Sequence, residues 1–463
     1  MKSRSERGAL VCLSLSMLLS SLGTSIANVG LPTLAEAFSA SFQHVQWVLL
    51  AYLLAITALI VSVGRLGDVV GRRRLLLMGV TLFTVASVLC ALAPTLWLLI
   101  AARTLQGAGA AIMMAMTMAL VGEAVPKARM GRAMGVLGTM SAIGTSLGPT
   151  LGGLLIANSG WPAIFLINVP LGVLAIGLAF RFLPNDHHEK RADFDVLGTL
   201  VLALTLLAYA LVMTLGRGRF DPLNMTLLLV AVFGFGLFVF IERKAESPLV
   251  QLTLLRNLPL SAGFAMSALV TSVVMATLVV GPFYLTGALA LDAVGAGLVM
   301  STGPLIAALV GIPAGRCVDR WGAHRSAMCG LMTMLIGACS LPAVPMGFGV
   351  PGYVVPLAVV TAGYALFQAA NNTAVMADVT PQQRGVISGL LGLSRNLGLI
   401  TGASLMGAIF AVGSASGDIL QAQPEAIAQG MRLTFTVAAG LIGAALIIGV
   451  ISQRRSRIAA TSC

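Results

Sequence analysis

Apolar residues occupy this chain in long unbroken blocks, and short charged stretches punctuate them. Wound as a helix, a block of about 20 residues covers the roughly 30 Å of hydrocarbon in a bilayer. Fourteen such spans are predicted: 9–30, 45–63, 75–93, 95–121, 134–157, 162–182, 196–215, 223–241, 259–285, 293–313, 326–344, 352–376, 386–412 and 432–452. Ala93-Pro94-Thr95 marks the division between the third and fourth. The pattern predicts an all-α integral membrane protein.

Composition agrees: 58% of residues are hydrophobic and 10% charged, against about 25% charged in a soluble domain. The Lys/Arg bias of short loops sets orientation. With a cytoplasmic N-terminus, Lys2, Arg4, Arg7, Arg65, Arg72, Arg73, Arg74, Lys127, Arg129, Arg132, Arg181, Lys190, Arg191, Arg243, Lys244, Arg256, Arg316, Arg320, Arg325, Arg384, Arg454, Arg455 and Arg457 all lie inside. Only Arg217, Arg219 and Arg432 fall outside, and Arg103 and Arg395 fall within spans. Both termini are therefore expected in the cytoplasm. The net charge of +12 reads as topology and excludes a nucleic-acid partner, since the basic residues are scattered with no aromatic platform beside them. The first 30 residues resemble a signal peptide, but the run is long and thirteen spans follow, which favours an uncleaved first helix. Cys12, Cys90, Cys317, Cys329, Cys339 and Cys463 avoid the outside loops and show no metal spacing. They read as small apolar fillers or free thiols, and no metal or cofactor is expected.

The hinge after the second span reads Gly64-Arg65-Leu66-Gly67-Asp68-Val69-Val70-Gly71-Arg72-Arg73-Arg74. A degraded copy follows 251 residues later as Gly315-Arg316-Cys317-Val318-Asp319-Arg320-Trp321-Gly322-Ala323-His324-Arg325. Gly135, Gly148 and Gly152 recur as Gly385, Gly398 and Gly402. The chain thus divides six, two, six: a bundle over 1–190, a linker with an inserted helix pair over 191–257, and a second bundle over 258–463. Two related halves with a path between them is a transporter architecture.

Together with Arg103-Thr104-Leu105-Gln106-Gly107-Ala108-Gly109-Ala110-Ala111, Gly144-Thr145-Ser146-Leu147-Gly148-Pro149-Thr150-Leu151-Gly152-Gly153 and Trp161-Pro162-Ala163-Ile164-Phe165-Leu166-Ile167-Asn168-Val169-Pro170, the hinge resembles the major facilitator superfamily. Fourteen spans resemble its drug:proton antiporter branch. The resemblance implies the family's fold, two six-helix bundles plus the inserted pair. It further implies export of small amphipathic compounds, drugs or toxic metabolites, by alternating access in exchange for protons across a bacterial inner membrane. Accessory efflux proteins are admissible partners. One departure stands out. Where the branch carries an aspartate, three residues before Ile26-Ala27-Asn28-Val29, this chain has Gly23. Glu36, Asp292, Asp418 and Glu425 lie outside, and Glu123 and Asp378 at helix ends, so proton coupling is implied by the resemblance and not by a central carboxylate.

Asp68 lies at the end of the second span. In the family's fold this sets it near the start of a helix in the other half, where the helix dipole and arginines such as Arg132 favour a carboxylate. Gly64, Asp68, Gly71, Arg72, Arg132 and the repeat's Asp319 form an expected conformational latch. Gly64 and Gly71 would permit close approach or positive φ; the arginines alone could simply set topology. Arg103 sits about 12 Å into the fourth span, too deep for an idle charge, with Gln106 on the same face; snorkelling to the interface is the alternative. Gly144, Gly148, Pro149 and Gly152 give the fifth span a bare face, either a sliding gating seam or ordinary tight packing. Asn28, Tyr284, Gln368, Asn371, Asn372 and Arg395 are candidate substrate-cavity residues, with interhelical hydrogen bonding as the alternative. Met113, Met114, Met116 and Met118 read mostly as packing. Rival functions are a specific metabolite exporter or an importer on the same fold, and a non-transporting receptor or scaffold. An enzyme is disfavoured, since no nucleophile–base pair or phosphate loop appears and His44, His187, His188 and His324 lie in or beside loops.

Overall fold

The computed structural model describes residues 2–40, 42–184, 195–215, 222–245, 248–291, 293–377, 379–380, 383–414 and 423–461. Lys190, Arg191, His187, His188, Arg217, Arg219, Asp292, Asp378, Asp418 and Cys463 lie outside them. In chain order the helices are α1 (Lys2–Val29), α2 (Leu31–Ala37), α3 (Phe42–Val70), α4 (Arg72–Ala91), α5 (Leu96–Ala124), α6 (Met130–Ser159), α7 (Ala163–Leu166), α8 (Asn168–Phe182), α9 (Val196–Leu215), α10 (Pro222–Lys244), α11 (Leu258–Phe283), α12 (Ala293–Trp321), α13 (Ala323–Ala343), α14 (Gly349–Ala377), α15 (Arg384–Gly413) and α16 (Pro424–Thr461). No strand occurs among the described residues.

Thirteen described helices are long and apolar enough to cross a membrane, and the count reaches fourteen when α6, bent by 41° between Lys127–Gly148 and Thr150–Ser159, is taken as one span. The bend falls where Pro149 removes a backbone donor. The sixth predicted span is interrupted at Ile167, between α7 and α8. Pro170 accounts for this, because its ring crowds the carbonyl four residues back, at Leu166. Likewise the ninth span passes from α11 into a π-turn over Tyr284–Ala288 just after Pro282.

Local chemistry fixes several boundaries. Thr95 caps α5 by accepting from Leu98 N, and Asn257 caps α11 by accepting from Leu260 N. Gly71 and Gly322, the corresponding glycines of the two hinges, have φ of 104° and 86°. A side chain is strained there, so the duplicated turn requires glycine twice.

The chain forms two compact units. One comprises Met1–Leu207, Gly234–Val250 and Met376–Leu393; the other Ala208–Phe233, Gln251–Val375 and Ser394–Cys463. In the first, α1 packs on α6 and α8 while α3 and α4 pack on α5, around a core that includes Leu22, Ile26, Val48, Leu99 and Phe165. In the second, α16 packs on α11 and α13, around Val270, Val273, Leu331, Met334 and Phe435.

Candidate functional site

Arg103 is fully buried within the first unit. Its Nε donates to Val48 O at 2.9 Å, and its Nη1 donates to Gly23 O at 3.1 Å and to Gln106 Oε1 at 2.6 Å. Gln106 passes the chain on, donating to Ser87 Oγ at 2.7 Å. The guanidinium lies 4.2 Å from the centroid of the Tyr52 ring, and Tyr52 Oη donates to Ser20 O. One cation thus ties α1, α3, α4 and α5 together. A buried ion is tolerated when carbonyls and a π-face replace water. Snorkelling is ruled out by this geometry, and so is direct contact between the guanidinium and a ligand in this conformation. Nη2 alone has no hydrogen-bond partner.

The hinge builds a second constellation in the same unit. Asp68 Oδ1 accepts from Gly385 N at 2.9 Å and Oδ2 from Val386 N at 3.1 Å. These are amides of the first turn of α15, which lack intrahelical partners and sit at the positive end of the helix dipole. Arg72, four residues on from Asp68, donates to Oδ1 from Nη2 at 2.7 Å and from Nε at 3.1 Å, and its Nη1 donates to Glu123. The cation on Asp68 is therefore Arg72, whereas Arg132 is exposed and is not among its partners. A Cβ on Gly64 would collide with Gly385 O, and one on Gly389 would lie 2.7 Å from Ile60 O. The two helices meet there backbone to backbone. The repeat keeps the turn but not the buried carboxylate, since Asp319 is exposed.

On α6, a Cβ on Gly144 would lie 2.7 Å from Leu18 O, and one on Gly148 would overlap Ser25 Oγ. Ser25 Oγ donates to Gly144 O at 3.0 Å. Gly152 is buried. The second unit repeats the device: a Cβ on Gly402 would lie 2.6 Å from Ser272 Cα, and Ser272 Oγ donates to Gly398 O at 2.9 Å. Each glycine face is thus held by a serine of the neighbouring helix.

The expected cavity residues do not form one cluster. Asn371 and Asn372 are buried, and Asn371 Nδ2 donates to Gly263 O at 3.1 Å, near the start of α11. Tyr284, also buried, pairs with Tyr353 at 5.8 Å between centroids at the other end of that helix. Twenty-one residues of helix put these positions roughly 30 Å apart. Gln368 and Arg395 are half-buried, and Arg395 Nε has no hydrogen-bond partner. Asn28 is exposed. For Asn371 the interhelical bond is the role observed.

Sequence reasoning missed Ser87 and the bond of Glu123 to Arg72. Both partners come from distant segments, and only the polarity of Glu123 at a helix end gave a signal. Cys12 and Cys90 are buried, Cys329 and Cys339 exposed, and these and Cys317 are free thiols.

The sequence model of the Major Facilitator Superfamily matches residues 13–403 and again 260–461. The riboflavin transporter RibZ of Clostridioides difficile (strain 630) is 31% identical over 448 residues, covering 96% of this chain and 97% of that protein. The multidrug resistance protein Stp of Mycobacterium tuberculosis (strain CDC 1551 / Oshkosh) is 31% identical over 419 residues, covering 88% and 76%. Among solved structures, the human organic anion transporter MFSD10 superposes with a TM-score of 0.67 at 16% identity, over 96% of this chain and 99% of its own.

Proposed function

The chain belongs to the major facilitator superfamily and is a multi-pass membrane transporter, not an enzyme; on that premise we propose that it exports small amphipathic compounds by alternating access in exchange for protons. The observation that carries this reading is the pairing of Asp68 with the first-turn amides of α15, together with similarity to a multidrug resistance protein over 88% of the chain. A carboxylate on a helix N-terminus holds two elements by a few directional bonds. Such a contact can break and re-form as access alternates. In this reading Gly64, Asp68, Gly71 and Arg72 are the latch, with Glu123 as the second carboxylate on Arg72. Arg103 and Gln106 stiffen the first bundle, and Gly144, Gly148, Pro149 and Gly152 form the seam. The bundles correspond to 1–190 and 258–463 with the inserted pair over 191–257, both termini cytoplasmic, in a bacterial inner membrane.

A second reading is supported by similarity to a riboflavin transporter over 96% of the chain: a transporter specific for one planar metabolite. Transport into proteoliposomes, with and without an imposed pH gradient, tests both. Uptake of several unrelated amphiphiles that rises with the gradient supports drug:proton exchange. Uptake confined to a flavin, indifferent to the gradient, would overturn it in favour of the second reading.

A further inference from the structure

The inserted helix pair carries one buried and one half-buried carboxylate, Glu242 and Asp195, that no motif predicted. Asp195 precedes α9, and its Oδ1 caps that helix by accepting from Gly198 N at 2.7 Å. Glu242 lies near the end of α10, is 4% exposed, and its Oε2 accepts from Val250 N at 3.2 Å. Each carboxylate then has one oxygen left over. Asp195 Oδ2 and Glu242 Oε1 are both buried, and neither has a hydrogen-bond partner. They converge: the point where a Cβ of Gly198 would sit lies 2.9 Å from Glu242 Oε1 and closer still to Asp195 Oδ2. Both acceptors therefore lie within about 3 Å of one point and no more than about 5 Å from each other, close enough for one donor to serve the pair.

Charge leads to the same requirement. Among the described residues, the cation that bears on Glu242 from another helix is Arg65 of the hinge. On α10 itself, Arg243 and Lys244 follow, and the Lys244 ammonium sits over the Phe240 ring at 4.4 Å. Two ionised carboxylates near one guanidinium leave a net charge of −1, with Glu242 buried and Asp195 and Arg65 half-buried. One proton shared between them makes the trio neutral and gives the two oxygens a common donor. Uncompensated buried charge costs several kcal/mol, and like charges sharing a site do not both ionise readily.

We propose that Asp195 and Glu242 form a carboxyl–carboxylate pair that binds one proton, Asp195 Oδ2 and Glu242 Oε1 sharing it, at the end of the inserted helix pair beside Arg65. The site does not depend on export being proton-driven, and its test measures no transport. It also gives the chain a protonatable carboxyl pair although residues 9–30 of the first span hold no Asp or Glu.

The test is infrared difference spectroscopy of the full-length protein in lipid, at about pH 7, where free carboxyls are ionised. The expected result is a protonated-carboxyl carbonyl band that shifts in D2O, vanishes in alkaline buffer, and is lost in both Glu242→Gln and Asp195→Asn. Glutamine keeps the acceptor for Val250 N and asparagine keeps the cap, so both variants retain the fold's own bonds. Thermal unfolding is the second readout. A native state holding a proton that the unfolded chain releases loses stability as pH rises, so Tm falls toward alkaline pH in the wild type and this slope flattens in both variants. A merely structural tether would lower Tm without changing the slope, which overturns the proposal. A band that persists in both variants also overturns it. So does an absent band combined with stabilisation by added sodium or calcium, which would assign the pair to a metal cation.

Discussion

Replacing Arg103 with alanine removes three hydrogen bonds, a close cation–π contact with Tyr52 and a longer one with Phe165 from a fully buried site. Bonds to a charged donor contribute about 1.5–3 kcal/mol each in soluble proteins, but interhelical bonds within membranes average nearer ~0.6 and reach ~1.7. The contact with Tyr52 adds about 1 kcal/mol. Val48 O and Gly23 O belong to helices and keep intrahelical donors, so the unsatisfied group left behind is Gln106 Oε1, whose remaining neighbour is the Cys90 thiol at 4.0 Å. Relief of a desolvated ion offsets part of the loss. The net is a destabilisation of roughly 2–3 kcal/mol, or a fall in Tm of about 4–12 °C. The protein supplies its own probes. With Cys317, Cys329, Cys339 and Cys463 changed to serine, buried Cys12 and Cys90 remain, and a thiol-reactive dye reports their exposure on heating. Arg103→Lys should rescue poorly, because a single ammonium cannot reach Val48 O, Gly23 O and Gln106 Oε1 in one planar fork. If Arg103→Ala melts within a degree of its parent and transports normally, the clamp has no role and the reasoning fails.

Asp68→Asn keeps one acceptor but places an NH2 group against an amide donor, a loss of about 1–3 kcal/mol; transport in proteoliposomes should fall about tenfold or more with membrane insertion intact, and a well-expressed, fully active variant would remove the latch from consideration. Gly64→Ala should depress transport similarly, since its methyl meets the Gly385 carbonyl and backbone cannot rotate away; unchanged rates would mean that the close approach is dispensable. For Gly23→Asp, the added Cβ needs only small adjustments, lying 3.0 Å from the Phe83 ring and 3.3 Å from Tyr52 Oη. In competition assays the parent should favour neutral or acidic amphiphiles and the variant should shift toward cations, and strong dication export by the parent would contradict this.

The membrane class, the span count and the duplicated hinge were legible because they rest on local rules. Unbroken apolar length marks spans, and glycines in a charged turn mark close approach or positive φ, as Gly64 and Gly71 respectively show. Arg103 and Gln106 were legible because three residues separate them on one helix face. The partners that complete their network, Val48 O, Gly23 O and Ser87, come from three other helices, and no periodicity encodes that meeting. The same limit hid Glu242, whose counterparts Asp195 and Val250 approach only once α9 and α10 pack. Grouping Tyr284 with Asn371 failed for a simpler reason: helix identity says which rod a residue rides on, not how far along it a partner sits. The breaks after Leu166 and Phe283 were in principle readable from Pro170 and Pro282, which apolar length alone overrides.

Where Gly64 and Ile60 O meet Gly385 and Gly389 the contact is made of main chain, flanked by the Ile60 side chain against Gly392 and by Ser388 Oγ donating to Ala115 O at 2.8 Å. Most helix seams freeze leucines and methionines into single rotamers when they close, at about 0.5–2 kcal/mol of entropy apiece. Glycine has no rotamers to lose. Closing and opening this seam therefore changes side-chain disorder at a few positions, Asp68, Arg72, Ile60 and Ser388, so the balance between engaged and released states depends little on temperature-sensitive ordering and mostly on whether a few directional bonds form, the carboxylate to its two amides and Ser388 to Ala115 O. A seam of that kind behaves as a switch with few setting screws. Any side chain longer than a hydrogen atom at 64 or 385 moves the stop itself.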